Sequence, residues 1–348
     1  MKRLLPLLVL VLLVGACRGG DAPADTPAAT PPAPGPLVVY AGRSEALVGP
    51  IVAQFEQATG IDVEVRYGTD AALLAALQEE GARSPADVFW ANSSGTLVAA
   101  TMANLLGELP DSLRAVPAAF VPASGRWVPV TIRFRTLALR RGADTTAVPT
   151  SVLDLPQATA LRGRIGWTPA YASFQDFVTA LRVRHGDDST RTWLEGMKTL
   201  RPRAYASNTP MLEALEAGEI DVALTNHYYV LRILQGTGET AARADAPVSI
   251  RPFATGDDGN LALVTGAGVL PTSTRHETAL RFLHFLLSSE AQAHAASVNY
   301  EYPVVRDTPL PAFLMPLDRA LALSPALDFE RLGDLDGTLR LLREAELL

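Results

Sequence analysis

From Leu37 onward, short apolar runs alternate with stretches of helical spacing, and this rhythm restricts the fold more than any other feature. The run 37–41 ends in Gly42 and reads as a buried strand. Leu47, Ile51, Val52 and Phe55 then recur at helical spacing, with Gly60 as a stop. Ile61, Val63, Val65 and Tyr67 alternate with polar residues as a second strand does. Leu73, Leu74 and Leu77 mark a helix closing at Gly81, and 87–90 is a third strand. That order predicts βαβ units around a parallel sheet.

The rhythm restarts after Pro129. Residues 130–139 look extended, and 163–168, 220–224 and 261–270 read as strands. Phe174, Phe177, Val178 and Leu181 form a helical stripe. A helix carrying Met211, Leu212 and Leu215 has Asn208 as a candidate cap and Gly218 as its stop. Helices are expected over 276–287 and 289–297, and 329–348 is amphipathic. A length of 348 residues favours two domains, and no solenoid repeat is present. Two α/β lobes result. The expected division is 37–132 plus 264–310 for the N-terminal lobe and 133–263 plus 311–348 for the C-terminal lobe.

Lys2 and Arg3, the apolar run 4–14, and Gly15-Ala16-Cys17 have the layout of a secretory signal. The run is too short for a permanent membrane span. The segment 14–17 resembles a bacterial lipobox, which implies lipidation at Cys17 and removal of 1–16. Multiple acyl chains anchor stably where one is marginal. Residues 18–36 are Pro-, Ala- and Gly-rich and form an expected tether. The body is therefore expected outside the cytoplasm, periplasmic or at the cell surface.

Cys17 is the single cysteine, so disulfides within the chain and thiolate zinc clusters are excluded. A net charge of -7 without a basic stripe argues against nucleic acid. There is no HExxH, GxSxG, GxGxxG or GxxxxGK[ST] motif, and the five histidines read as surface residues rather than zinc ligands. The loop 255–260 lacks the spacing of a calcium-binding hand. No nucleophile, base and oxyanion set assembles, so an enzyme is not expected. Ser173 with His227 is the one pair worth testing as a hydrolytic centre.

Three segments remain: 40–45, 166–174 and 225–229. Each follows a predicted strand, where ligands of open α/β sheets bind and helix N-termini favour anions. The strings PADVFW at 85–90, AGEIDVALTNHYY at 217–229 and LVTGAGVL at 263–270 resemble the ferric-ion-binding periplasmic proteins. These are the substrate-binding components of iron ABC transporters, and the resemblance covers about 37–310.

The resemblance implies a two-lobed α/β fold, the type II periplasmic-binding-protein fold, with a ligand cleft between the lobes. It implies ferric iron as transported ligand, held by the phenolates of Tyr228 and Tyr229 with Tyr171 as a third. Ferric iron is a hard ion that favours anionic oxygen, and its charge can deprotonate a phenol. Where other members place a histidine and a tyrosine after the first strand, this chain has Ser44 and Glu45, and Asn92 stands where some have a glutamate. Glu45 is either a replacement ligand or a carboxylate favoured at a helix start. Arg43, Arg133 and Arg135 either neutralise phenolates and hold an anion or bridge the lobes. Ser44, Ser173, Asn208 and Asn226 complete the expected anion-binding set, for carbonate or phosphate as a synergistic anion. The implied partners are an ABC permease with its ATPase, reached by a monomer anchored to the membrane through Cys17. The competing expectation is a receptor for an organic anion such as a phosphonate or sugar phosphate.

Overall fold

The computed structural model describes residues 35–114, 116, 120–237, 240–326 and 328–348. The expected signal at 1–16, Cys17 and the tether through residue 34 lie outside the described residues. The strands are β1 (Leu37–Ala41), β2 (Val63–Tyr67), β3 (Val88–Ala91), β4 (Val128–Arg140), β5 (Ile165–Trp167), β6 (Arg203–Ala204), β7 (Val222–Asn226), β8 (Val248–Arg251), β9 (Ala262–Val269) and β10 (Tyr302–Pro303). Around them lie α1 (Glu45–Thr59), α2 (Asp70–Glu80), α3 (Ser94–Met102), α4 (Ala172–His185), α5 (Asp187–Thr199), α6 (Asn208–Glu216) and α7 (His227–Gln235). The remaining helices are α8 (His276–Leu286), α9 (Ser289–His294), α10 (Leu317–Leu323) and α11 (Leu335–Glu344).

The strand order is β2-β1-β3-β9-β4-β7-β5-β6, with β10 and β8 also pairing with β4. The expected parallel pairs occur: β1 lies between β2 and β3, and β5 lies between β6 and β7. The sheet as a whole is mixed, which corrects the parallel expectation. β9 runs antiparallel to β3 and β4, and β4 runs antiparallel to β7. The physical reason is connectivity. β4 carries the chain from the first lobe to the second and β9 brings it back, so these two strands oppose each other.

β4 has 13 residues, nearly all buried. Its first part, Val128 to Phe134, is in register with β9. Its second part, from Arg135, pairs with β7 and β8. One strand thus belongs to both lobes. Each lobe has its own aromatic centre. In the first, Phe55 meets Phe282 edge-on at 5.0 Å and Trp90 meets Phe282 at 6.0 Å. In the second, Trp167 meets Phe174 at 5.6 Å and Phe177 meets Trp193 at 5.5 Å. Truncating a buried phenylalanine of this kind costs about 3–5 kcal/mol.

The helix stops follow the sequence. Gly60 closes α1 in the left-handed region (φ 70), and its N–H donates to the Glu56 carbonyl. β7 begins two residues later than the apolar run suggested, with Asp221 at its foot gripped by Arg164 and Arg140 at 2.7 and 2.8 Å. Thr225 and Asn226 are thereby drawn into the strand. The helix expected over 289–297 is α9 followed by a π-helical turn, Ala295–Asn299, which ends at Tyr300 with φ 59. The C-terminal segment touches both lobes. Leu341 and Leu342 join the core of the second. The Leu332 carbonyl lies 2.6 Å from where a Cβ on Gly95 of α3 would stand, so only glycine fits there.

Candidate functional site

A cavity of about 350 Å³ opens between the ends of β1, β5 and β7 and the helices that follow them. Arg43, Ser44, Tyr67, Asn92, Tyr171, Ser207, Tyr229 and Arg232 line it. Four helices begin at or beside it without a side-chain cap: α1 at Ser44, α4 at Tyr171, α6 at Ser207 and α7 at Asn226. Their first N–H groups are left without a capping side chain, an arrangement receptive to anions. By contrast, Thr69 caps α2 and Ser93 caps α3 with their hydroxyls.

The phenols come from the first turns of α7 and α4. Asn226 is extended (φ -106, ψ 148), so the chain turns from strand to helix before His227. Tyr228 and Tyr229 follow on adjacent positions, with rings stacked at a centroid distance of 4.2 Å and 28°. Tyr171, at the start of α4, brings its hydroxyl 2.9 Å from that of Tyr229. The Tyr228 hydroxyl is buried and makes no well-formed hydrogen bond among the described residues, though it stands close enough to Tyr229 to raise that group's pKa. Burial raises all three phenol pKa values, and the phenols add to the effect in a cycle. Tyr171 acts on Tyr228, Tyr228 on Tyr229, and Tyr229 on Tyr171. Arg43 and Arg133 act in the opposite direction on Tyr171 and Tyr228. Without a cation these groups keep their protons; a trivalent ion among them would displace those protons.

Behind the phenols lies a buried polar layer. Asn226 donates to the Ser173 hydroxyl at 3.2 Å and accepts from Arg135 at 3.2 Å. Asn208 accepts from the Thr225 hydroxyl at 3.2 Å, and its side chain also acts on the Tyr229 hydroxyl, opposing the rise in that phenol's pKa. Asn208 is thus not the cap of α6, correcting that expectation; Ser207 precedes the helix and Asn208 points inward from its first turn. Arg135 also donates to the Leu224 carbonyl at 3.2 Å and stands over the Phe177 ring at 5.7 Å. Desolvation, and then Arg133, pull its pKa down to about 9. Arg133 donates to the Asn92 carbonyl, while its Nε and Nη1 are buried without partners. Tyr228 is fully buried and, like Ser173, Asn208, Asn226, Arg133 and Arg135, is not among the cavity's lining residues; the latter five form the layer beneath it.

The first lobe contributes differently. Ser44 lines the cavity, but Glu45 does not. Glu45 is exposed on α1, where its charge raises the Tyr67 pKa further after burial has done so. The structure therefore does not bring Glu45 to the phenols. Arg43 is buried and donates through both terminal nitrogens to Glu301, at 2.9 and 2.7 Å. Arg133 and Arg135 make no ion pair among the described residues, so the inter-lobe salt bridges considered for them are not formed.

Several residues of this region escaped sequence reasoning. Glu301 lies beyond any strand-to-helix turn, and nothing local marks it. Asp70 starts α2 just after β2, so the strand-end rule does point to it, but an acid at a helix start is commonplace. Asp70 accepts the Asn92 N–H at 2.9 Å, and its Oδ1 lies 1.7 Å from where a Cβ on Gly42 would stand. Any side chain at 42 would displace that carboxyl. Asp176 on α4 accepts the Ser93 hydroxyl across the lobes. Burial lifts Asp70 to about 7 and Asp176 to about 6.

The Ser173–His227 pair is not a hydrolytic centre. The Phe134 N–H donates to His227 Nδ1 at 3.2 Å, which assigns the proton to Nε2, facing the Tyr300 carbonyl at 2.9 Å. Burial lowers the His227 pKa to about 4, so the ring is neutral and both nitrogens are engaged. Among the described residues, no group of three or more His, Cys, Asp or Glu side chains could hold a metal.

The family model for bacterial extracellular solute-binding proteins matches residues 37–297. The Fe(3+)-binding periplasmic protein of Serratia marcescens is 32% identical over 271 residues, 77% of this chain and 78% of that one. Iron-bound HitA from Pseudomonas aeruginosa has a similar structure, with a TM-score of 0.81 and 32% identity over 90% of this chain and 99% of that one. A Trichodesmium protein solved with iron and citrate gives 0.73 and 25%, over 90% and 100%. The chain thus belongs to the bacterial extracellular solute-binding proteins and, among them, to the ferric-iron-binding periplasmic family, whose members are transport proteins rather than enzymes.

Proposed function

We propose that this protein is the extracytoplasmic ferric-iron receptor of an ABC importer. Tyr171, Tyr228 and Tyr229 are its metal ligands. The observation that carries this reading is the phenol cluster: the Tyr171 and Tyr229 hydroxyls 2.9 Å apart and the Tyr228 ring stacked on that of Tyr229, its buried hydroxyl without a well-formed hydrogen bond among the described residues. A buried hydroxyl without a partner is costly, and a bound cation would remove that cost by taking its oxygen as a ligand.

Charge balance supports an anion beside the metal. Three phenolates cancel a trivalent ion. Arg43 is paired with Glu301, whereas Arg133 and Arg135 have no carboxylate partner among the described residues. An oxyanion such as carbonate, phosphate or a carboxylate would face these arginines through the uncapped helix starts. The Trichodesmium relative holds citrate with its iron, and a cavity of about 350 Å³ leaves room for an anion of that class. Glu45 stays outside the coordination sphere in this reading. The lobes, divided as 37–132 with 264–310 and 133–263 with 311–348, close over the cargo. The closed receptor, tethered through lipidated Cys17, then passes iron to a permease.

Ferric titration followed in the visible range tests the ligand assignment. The loaded protein should be coloured by phenolate-to-iron charge transfer. Stoichiometric iron without such a band would sink the tyrosine reading. Repeating the titration with and without carbonate, phosphate or citrate identifies the anion. Binding of a phosphonate or sugar phosphate without iron would favour an organic-anion receptor instead.

A further inference from the structure

Arg43 and Glu301 are 258 positions apart in the chain, yet they form a bidentate ion pair that is almost wholly buried. Such a pair gains little net stability, because desolvating both charges offsets their attraction. Its location suggests a different role. Arg43 stands at the end of β1 and lines the cavity. It shares that cavity with Tyr171 and Tyr229, which belong to the other lobe. Its Nε is buried and has no hydrogen-bond partner among the described residues. Its other nitrogens are committed: Nη2 to Glu301, and Nη1 to Glu301 and, at 3.4 Å, the Thr131 hydroxyl.

Glu301 is itself held from several sides. The Thr131 hydroxyl donates to it at 2.9 Å, and its backbone N–H donates to the Ala295 carbonyl at 3.0 Å. The π-helical turn and left-handed Tyr300 deliver it to this place. Tyr300 is tied to α7 through His227, the residue before Tyr228. The pair to Arg43, with Thr131 nearby, keeps the Glu301 carboxyl ionised against its burial.

We propose that Glu301 is a positioning residue for the cargo site. It orients Arg43 so that Nε–H, the guanidinium donor without a partner, is presented to an oxyanion bound with the metal. On this view the first lobe supplies a fixed cation where other members of the family supply a metal ligand. The inference rests on the proposed ferric-iron function.

A double-substitution cycle tests it. Wild type, Glu301→Gln, Arg43→Gln and the double variant are titrated with ferric iron in the presence of carbonate. Charge-transfer absorbance and thermal melting are recorded for each. Glu301→Gln should weaken iron binding by about tenfold or more, in the range of outer-shell changes at metal sites. In the Arg43→Gln background the same change should cost less than about twofold, because Glu301 then has nothing to orient. The double variant replaces the ion pair with two neutral amides, so the cycle retains a foldable corner if a single variant melts. Equal losses in both backgrounds would overturn the proposal, showing that Glu301 acts through its own charge. Lower melting with unchanged iron affinity would also overturn it, leaving a purely structural pair. If wild type binds no iron, the functional reading itself fails, and that result appears before any variant is measured.

Discussion

On one side of the cavity, the starts of α4 and α7 present Tyr171 and Tyr229 with hydroxyls in contact, and the buried Tyr228 is stacked on Tyr229. On the other, the turn from β1 to α1 offers an exposed Ser44 and a guanidinium already paired with Glu301. The second lobe holds oxygen atoms that an ion could bind directly. The first holds charge and hydrogen-bond donors that, on the proposed function, would act on an ion bound by the phenols. If the proposed ligand set holds, a receptor divided in this way would need no metal ligand from its first lobe.

The largest test removes the second-lobe oxygens. Tyr228→Phe and Tyr229→Phe should each abolish or strongly shift the visible band. Each should weaken iron binding beyond the roughly 10–100-fold typical of an outer-shell change. Ferric titration of each variant measures this. Unchanged affinity would mean that the first lobe holds the metal after all. Next comes the layer beneath. Arg133→Gln removes an unpaired guanidinium with two unpartnered nitrogens. It should reduce the dependence of iron affinity on added anion by about tenfold. Calorimetry with and without carbonate reads this, and an unaltered anion effect would place the anion elsewhere.

A smaller effect concerns the carboxyls facing one another across the lobes. Asp70 titrates at about 7 in the fold, chiefly because burial disfavours its charge, against an ordinary value of 3.8. The folded protein therefore holds a proton that the unfolded chain has released. Stability from this group is fully present below about pH 4 and is lost as pH rises through 7. His227 contributes with the opposite sign. Its pKa is lowered from 6.5 to about 4, so its share is present above 6.5 and lost as pH falls through 4. Comparing melting of wild type and Asp70→Asn between those limits isolates the first contribution. The asparagine can still accept the Asn92 N–H, so the variant should gain on wild type as pH rises. Parallel curves would contradict the buried-acid reading. Smallest of all, Glu45→Ala should change melting by no more than about 0.5 kcal/mol and leave iron binding intact. A strong loss would restore Glu45 as a ligand.

What the sequence revealed of this site depended on locality. The segments that carry Tyr171, Tyr228 and Tyr229 were legible because each follows a strand end, and a strand running into a helix has a recognisable pattern; the ligand role proposed for these tyrosines came from the family resemblance, not from that pattern. Gly60 could be read as a stop for a similar reason. Glu301 was not legible, because its meaning comes from a partner 258 residues away and from a π-helical turn that no periodicity announces. The direction of β9 was hidden too. An apolar run shows that a strand is buried but does not say which way its neighbours point. Asn208 looked like a cap because asparagine suits that position, yet its amide is used on the inside, against Thr225.

The shared strand β4 has a consequence for how the molecule melts. One half of it is paired into each lobe, so neither lobe can come apart without releasing edge partners of the other. The body should therefore unfold in one cooperative transition rather than as two independent units. Cargo held by the phenols of one lobe, as proposed, would then raise the melting temperature of both, by an amount set by its concentration relative to its dissociation constant.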